Sequence, residues 1–226
     1  MSTAVSVDRQ PRAGTRVDRR PIVLAAVASV MGGAVYLNAL PNPFVLDDHL
    51  TVVTNPSIRD PWNIAEVVRG SLFRPVENMS FAVDHALWGF DPFGFHLTSL
   101  LLHVVNVALV FALAWRVHVD RGGVDDGARA LGAFVAAALF AVHPLMTEAV
   151  GYVSGRAELL GAAFFVLALV LLRDGIVGGG RVRLASALLA LCLALGSKET
   201  AAMFPLVALA YDRLLLREVP SRRYRL

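Results

Sequence analysis

Charge is what this sequence has least of. Only 17% of its 226 residues are Asp, Glu, Lys or Arg, against 56% hydrophobic, and the mean hydropathy is +0.60. A soluble domain of this length needs more charge to cover its surface. The apolar residues fall in runs rather than in amphipathic stripes, so the fold class is all-α: a polytopic helical membrane protein. Cysteine is almost missing. Cys192 stands alone inside an apolar run, which excludes an internal disulfide and reads as packing. No P-loop, GxSxG, HExxH or Cys/His zinc spacing occurs, so soluble-type nucleotide, esterase and zinc chemistries lose ground. No internal repeat is visible. The net charge is +3, but the arginines cluster beside apolar runs, as membrane topology requires, and do not suggest nucleic acid.

What is present is an ordered series of spans. Residues 1–20 form a basic tail, expected in the cytoplasm. Residues 21–40 match a bilayer core of about 30 Å at about 1.5 Å per residue. Residues 41–92 make the only long polar excursion. In it, Asp60-Pro61 looks like a helix start, and Ile64, Val67, Val68 and Leu72 recur at helical spacing. Val76, Met79, Val83 and Leu87 do the same, so two amphipathic helices are expected along the membrane surface. Further spans are expected over 92–115, 130–142 and 159–172. The last apolar region, 184–216, is too long for one span and is broken by Ser197-Lys198-Glu199-Thr200, which predicts a hairpin. A basic end, 217–226, follows. The expectation is therefore about six transmembrane helices with both termini cytoplasmic, since most Lys and Arg fall in the segments assigned inside. High Ala and Arg with few Lys suggests a bacterial inner membrane.

This topology places Asp47, Asp48, His143, Glu148, Arg156, Lys198 and Glu199 on one extracytoplasmic face, with Arg74 in the first outer loop and His96 at the outer end of the second span. Ionisable groups are costly at membrane depth, so their convergence marks a site. The chemistry that uses such a set is transfer of a sugar from a lipid phosphate to a hydroxyl. Asp47 or Asp48 is the candidate base. Arg74, Arg156 and Lys198 are candidates for the donor phosphate. His143 and Glu148, with Glu199 and His96 in support, are candidates to hold a divalent cation or position the acceptor. Each has a plainer reading: solvated loop carboxylates for Asp47-Asp48, a structural turn for His143-Pro144, mutual pairing for Arg156 and Glu158, and interhelical hydrogen bonds for His103 and Asn106. A transporter or a non-catalytic membrane scaffold is the rival from another class; a transporter would place its ionisable groups near the midplane.

Phe44-Val45-Leu46-Asp47-Asp48-His49-Leu50, Arg74-Pro75, the segment 87–96, Leu101-Leu102-His103, Phe140-Ala141-Val142-His143-Pro144, Thr147-Glu148-Ala149-Val150, Ser154-Gly155-Arg156-Ala157-Glu158 and Ser197-Lys198-Glu199-Thr200 occur in that order. Together they resemble the transmembrane and tetratricopeptide-repeat O-mannosyltransferases and their bacterial relatives, of the GT-C superfamily, over residues 21–216. The resemblance implies a partial GT-C membrane module, a catalytic acidic motif at Asp47-Asp48, a polyprenyl-phosphate sugar donor and a protein or peptide acceptor. It assigns no certain cofactor, and the metal is unknown. The later spans and the repeat domain of that family are missing from this sequence, so a truncated chain is expected.

Overall fold

Two long apolar runs set the frame of the molecule. The computed structural model describes residues 19–216, so most of the basic tail and the 217–226 end lie outside the described residues. In chain order the helices are Arg20–Val35 (α1), Ile64–Gly70 (α2), Pro75–Trp88 (α3), Pro92–Arg121 (α4), Asp126–Ala141 (α5), Met146–Gly151 (α6), Arg156–Gly178 (α7), Arg181–Leu195 (α8) and Phe204–Tyr211 (α9). No strand occurs among the described residues.

The frame is α4 and α7. Asp91 caps α4 by accepting the Phe93 N–H at 3.0 Å, with Pro92 in the first turn. The two helices run side by side in the same direction. Near their starts Arg156 donates to the Phe95 carbonyl at 2.7 Å; near their ends Arg116 donates to Asp174 at 2.6 Å. These two contacts are 18 residues apart on α7 and 21 apart on α4, about 27–32 Å. Against this pair lie α1 and α5. Ala133, Ala137 and Ala141 recur every fourth residue on α5 and are buried with Ala28 of α1 and Val107 of α4. Lipid supplies no hydrophobic drive between helices, so close approach of small side chains does the packing. Gly32 marks the tightest point of α1, where a Cβ would lie 3.0 Å from Val107.

The span count differs from the sequence expectation. Three helical stretches, Arg20–Ala39, Pro92–Arg121 and Val153–Gly178, are long and apolar enough to cross a membrane, not about six. The shorter α5 and α8 hold 16 and 15 residues, about 22–24 Å at 1.5 Å each. The chain reverses after α8 at the expected break, and α9 has only 8 residues. Hydropathy counts apolar residues, but Asp125, the His143-Pro144 turn and the 3₁₀ turn Glu199–Met203 cut these helices short. Cys192, read as packing, is exposed on α8.

Both amphipathic helices of the first loop form. The start of α2 is set by Asn63, which accepts the Glu66 N–H at 3.3 Å, while Asp60 accepts the Trp62 N–H at 2.9 Å one turn earlier. The loop has its own core, in which Val52, Ile58, Val67 and Phe81 close over Phe95 and Val153. Trp62 and Phe73, 90% and 80% exposed, project from it.

Candidate active site

The two adjacent aspartates part company at Leu46. This leucine adopts a φ of 48°, a left-handed backbone that costs a branched side chain about 1–3 kcal/mol. Beyond it, Asp48 turns inward and is fully buried. Its Oδ1 accepts the Ser154 N–H at 2.8 Å and the Ser154 hydroxyl at 2.7 Å, and its Oδ2 accepts the Val45 N–H at 3.1 Å. Asp48 therefore ties the loop to the turn before α7. Asp47 faces out. Its backbone N–H donates to the Tyr152 hydroxyl at 3.0 Å and its carbonyl accepts the Thr51 hydroxyl at 3.0 Å. Its carboxylate makes no hydrogen bond or ion pair among the described residues. Burial and the neighbouring aspartates raise the Tyr152 phenol above its ordinary value, so it stays protonated beside Asp47.

The three cations expected at a donor phosphate divide by burial. Arg156 is fully buried. It pairs with Asp84 at 2.6 Å, bonds Ser99 and Ser80 at 3.3 and 3.2 Å, and lies over the Phe81 ring at 4.7 Å. These partners and the Phe95 carbonyl hold it beneath the surface, apart from the two exposed cations. Arg74 and Lys198 are different. Arg74 meets Glu199 through Nε at 3.1 Å, and Lys198 meets Glu158 at 2.7 Å; both carboxylates are about half exposed, at 52% and 55%. Such pairs hold by about 0–1 kcal/mol and exchange readily. The residue's own backbone N–H and then the Arg74 guanidinium hold the Glu199 carboxyl below its ordinary value. Gly161 makes room for Lys198, since a Cβ there would lie 2.9 Å from the lysine Cβ.

Lys198, the only lysine of the sequence, lines a concavity of about 440 Å³ between α4, α6 and α7. Glu148, Tyr152 and Glu158 supply its other charged or hydroxyl groups, and Phe140 and Leu159 part of its apolar wall. Asn106 also lines it. Its Nδ2 donates to the Leu159 carbonyl at 2.9 Å, and its buried Oδ1 has no partner.

The residues considered for a cation do not assemble. His143 accepts the Leu145 N–H on Nδ1 at 3.2 Å, and its carbonyl accepts the Tyr36 hydroxyl at 2.8 Å, the behaviour of a turn residue. His96 is buried at the start of α4, its ring beside the Asn42 and Val150 backbone. Among the described residues no three His, Cys, Asp or Glu side chains come together as metal ligands. His103 bonds the Ala141 carbonyl at 3.1 Å, the interhelical role open to it in the sequence.

Sequence reasoning missed Ser154 and Tyr152, which fix the aspartate turn, and Asp84 and Glu77, which lie buried under it. Nothing in the spacing of a serine 106 residues from its carboxylate partner points to the pair. The buried Glu77 accepts the Ala157 N–H at 3.2 Å, and burial raises its carboxyl to about 7 against the pull of Arg74, Arg156 and Lys198.

Neither a family model nor a solved structure matches the chain. Curated proteins do. The chain is 34% identical over 175 residues to the mouse protein O-mannosyl-transferase TMTC1, covering 70% of this chain and 18% of the relative. It is 30% identical over 173 residues to Drosophila melanogaster Tmtc1, covering 71% and 19%. Human TMTC1 is 34% identical over 216 residues, covering 83% and 24%. The chain thus spans about a fifth of the length of the curated relatives it matches. Over the stretch it shares with them, the chain is a relative of the TMTC protein O-mannosyl-transferases.

Proposed function

We propose that this chain carries the reacting end of a GT-C type membrane glycosyltransferase. It moves a sugar, mannose in keeping with the names of its relatives, from a polyprenyl phosphate to a Ser or Thr hydroxyl of a protein. Asp47 is the base. It takes the acceptor hydroxyl proton as the oxygen attacks the sugar C1, and the bond from C1 to the phosphate oxygen breaks. The departing polyprenyl phosphate keeps that electron pair, and Lys198 exchanges Glu158 for it. Arg74 stands by with its exchangeable partner Glu199. The single observation that carries the reading is the unpaired Asp47 carboxylate on a strained turn, one hydrogen bond from Tyr152 in the wall of a concavity with apolar sides and an ammonium. Asp48 is the positioning residue that holds the turn.

The same reading puts this face on the extracytoplasmic side. Arg116, Arg121, Arg129, Arg173, Arg181 and Arg183 gather at the other end of the bundle, where the described chain also starts and stops. An excess of arginine marks the cytoplasmic side.

Transfer of labelled mannose from a polyprenyl-phosphate donor to a Ser/Thr peptide tests the reading, in membranes carrying this chain or the chain extended by the remaining segments of a relative. Asp47→Asn is expected to abolish transfer while the protein inserts and folds normally. Undiminished transfer by Asp47→Asn would remove Asp47 from the chemistry.

A further inference from the structure

A second concavity, of about 280 Å³, opens on the first loop between the turns after Asp48 and α3. Its lining differs in kind from that of the lysine-bearing one. Thr51, Thr54, Ser71 and Asn78 give it hydroxyls and an amide, Glu77 a carboxyl and Phe81 an aromatic face, and no Lys, Arg or His lines it.

Part of this wall is locked. Asn55 donates to the Asn78 side chain at 2.9 Å, and Asn78 donates to the Val67 carbonyl at 2.7 Å and the Ser57 hydroxyl at 2.9 Å. Other groups are left over. Glu77 uses one oxygen for the Ala157 N–H, and its second oxygen has no hydrogen bond among the described residues. The Ser71 hydroxyl has none either. The raised Glu77 carboxyl is half neutral at about pH 7, so it donates as well as accepts. Polar groups left unpaired in a lined pocket are costly unless a ligand meets them.

Thr51 connects this pocket to the proposed base. Its hydroxyl lies 3.0 Å from the Asp47 carbonyl and 2.8 Å from the Ser154 hydroxyl and donates its one proton to either of them. Asp47 therefore stands between two concavities, joined to one through Tyr152 and to the other through Thr51. A transferase needs two substrates beside its base. The phosphate-bearing donor requires a cation, which only the first concavity holds. The acceptor is uncharged and carries a hydroxyl and backbone amides, the chemistry that the second can match.

We propose that the loop pocket seats the acceptor, an uncharged polypeptide segment around its Ser or Thr, through hydrogen bonds to Ser71 and Glu77 and to Thr54 as an acceptor, since the Thr54 hydroxyl already donates to the His49 carbonyl at 2.8 Å. This rests on the transferase reading above. The test measures two ligands separately on the purified full chain in lipid nanodiscs: a fluorescent, neutral Ser/Thr-rich peptide and a labelled polyprenyl-phosphate mannose, each without the other. Thr54→Phe fills the exposed rim of the pocket. It is expected to weaken peptide binding about ten- to a hundredfold and leave donor binding unchanged. Ser71→Ala removes a hydroxyl that bonds nothing among the described residues, so it preserves the fold and is expected to weaken the peptide by about three- to tenfold. Peptide affinity unchanged in Ser71→Ala and in a folded Thr54→Phe overturns the pocket while intact donor binding leaves the transferase reading standing. A wild-type chain that binds the donor and no peptide also overturns the pocket. Failure to bind either ligand overturns both.

Discussion

The two ends of the helix bundle are equally rich in charge and use it in opposite ways. At the far end Arg173 pairs with Asp120 and Asp174, Arg116 pairs with Asp174, and the Tyr211 hydroxyl donates to Asp120 at 2.8 Å. Every group in that net has a partner, and the net stitches α4, α7 and α9 together. The Asp47 end has two layers. Beneath lie the buried pairs, Arg156 with Asp84 and Asp48 with Ser154. Above lie Asp47, Glu148, Lys198 with Glu158, and Arg74 with Glu199. The difference teaches that residue type does not separate a structural charge from a reactive one. Burial and the number of fixed partners do, because they set what it costs to release the group to a substrate.

The largest effect should come from breaking the lower layer. Arg156→Met leaves Asp84 buried and unpaired and is expected to cost about 3–5 kcal/mol, read by unfolding in detergent. The double variant Arg156→Met with Asp84→Leu should recover most of that loss. An Arg156→Met protein of wild-type stability would show that the pair is as exchangeable as the upper ones.

Glu77 should give the next effect. The folded chain holds that proton up to about pH 7, whereas the unfolded chain releases it near 4.5. Stability therefore falls as pH rises between those values, by about 3 kcal/mol in all, and is flat above them. Glu77→Gln should flatten the profile; a wild-type profile that is already flat over this range would mean the buried carboxyl ionises freely.

The aspartates sharpen the contrast between layers within one dipeptide. Asp48→Asn loses charge-assisted bonds to Ser154 and Val45 and should cost about 1.5–3 kcal/mol. Asp47→Asn should change stability by less than about 0.5 kcal/mol. Equal melting points for the two variants would erase the division between base and positioning residue. Smallest of all, Glu158→Gln should cost under about 1 kcal/mol, since the pair with Lys198 is half exposed.

Much of this was legible in the sequence. Runs of apolar residues gave the all-α membrane class, and period gave the two loop helices, though the first starts at its Asn63 cap and not at Asp60-Pro61, which forms a turn. The order of short motifs gave the family resemblance. The span count was less legible, because helix ends depend on caps and turns such as Asp125 and His143-Pro144 rather than on hydropathy. Nor could the sequence separate Asp47 from Asp48. Neighbouring identical residues look alike until one backbone angle, at Leu46, turns them apart. Arg156 shared a sign and a topological side with Lys198, and only its partner Asp84, 72 positions earlier in the chain, removes it from the surface.

A sequence with a single lysine has a single side-chain amine. An acylating reagent that spares hydroxyls and guanidinium groups would therefore mark, besides the chain's α-amino group, one position, in the wall of the lysine-bearing concavity. The speed of that mark, followed by mass spectrometry of the peptide around Lys198, is a direct meter of whether the concavity is empty or filled, without any turnover being required.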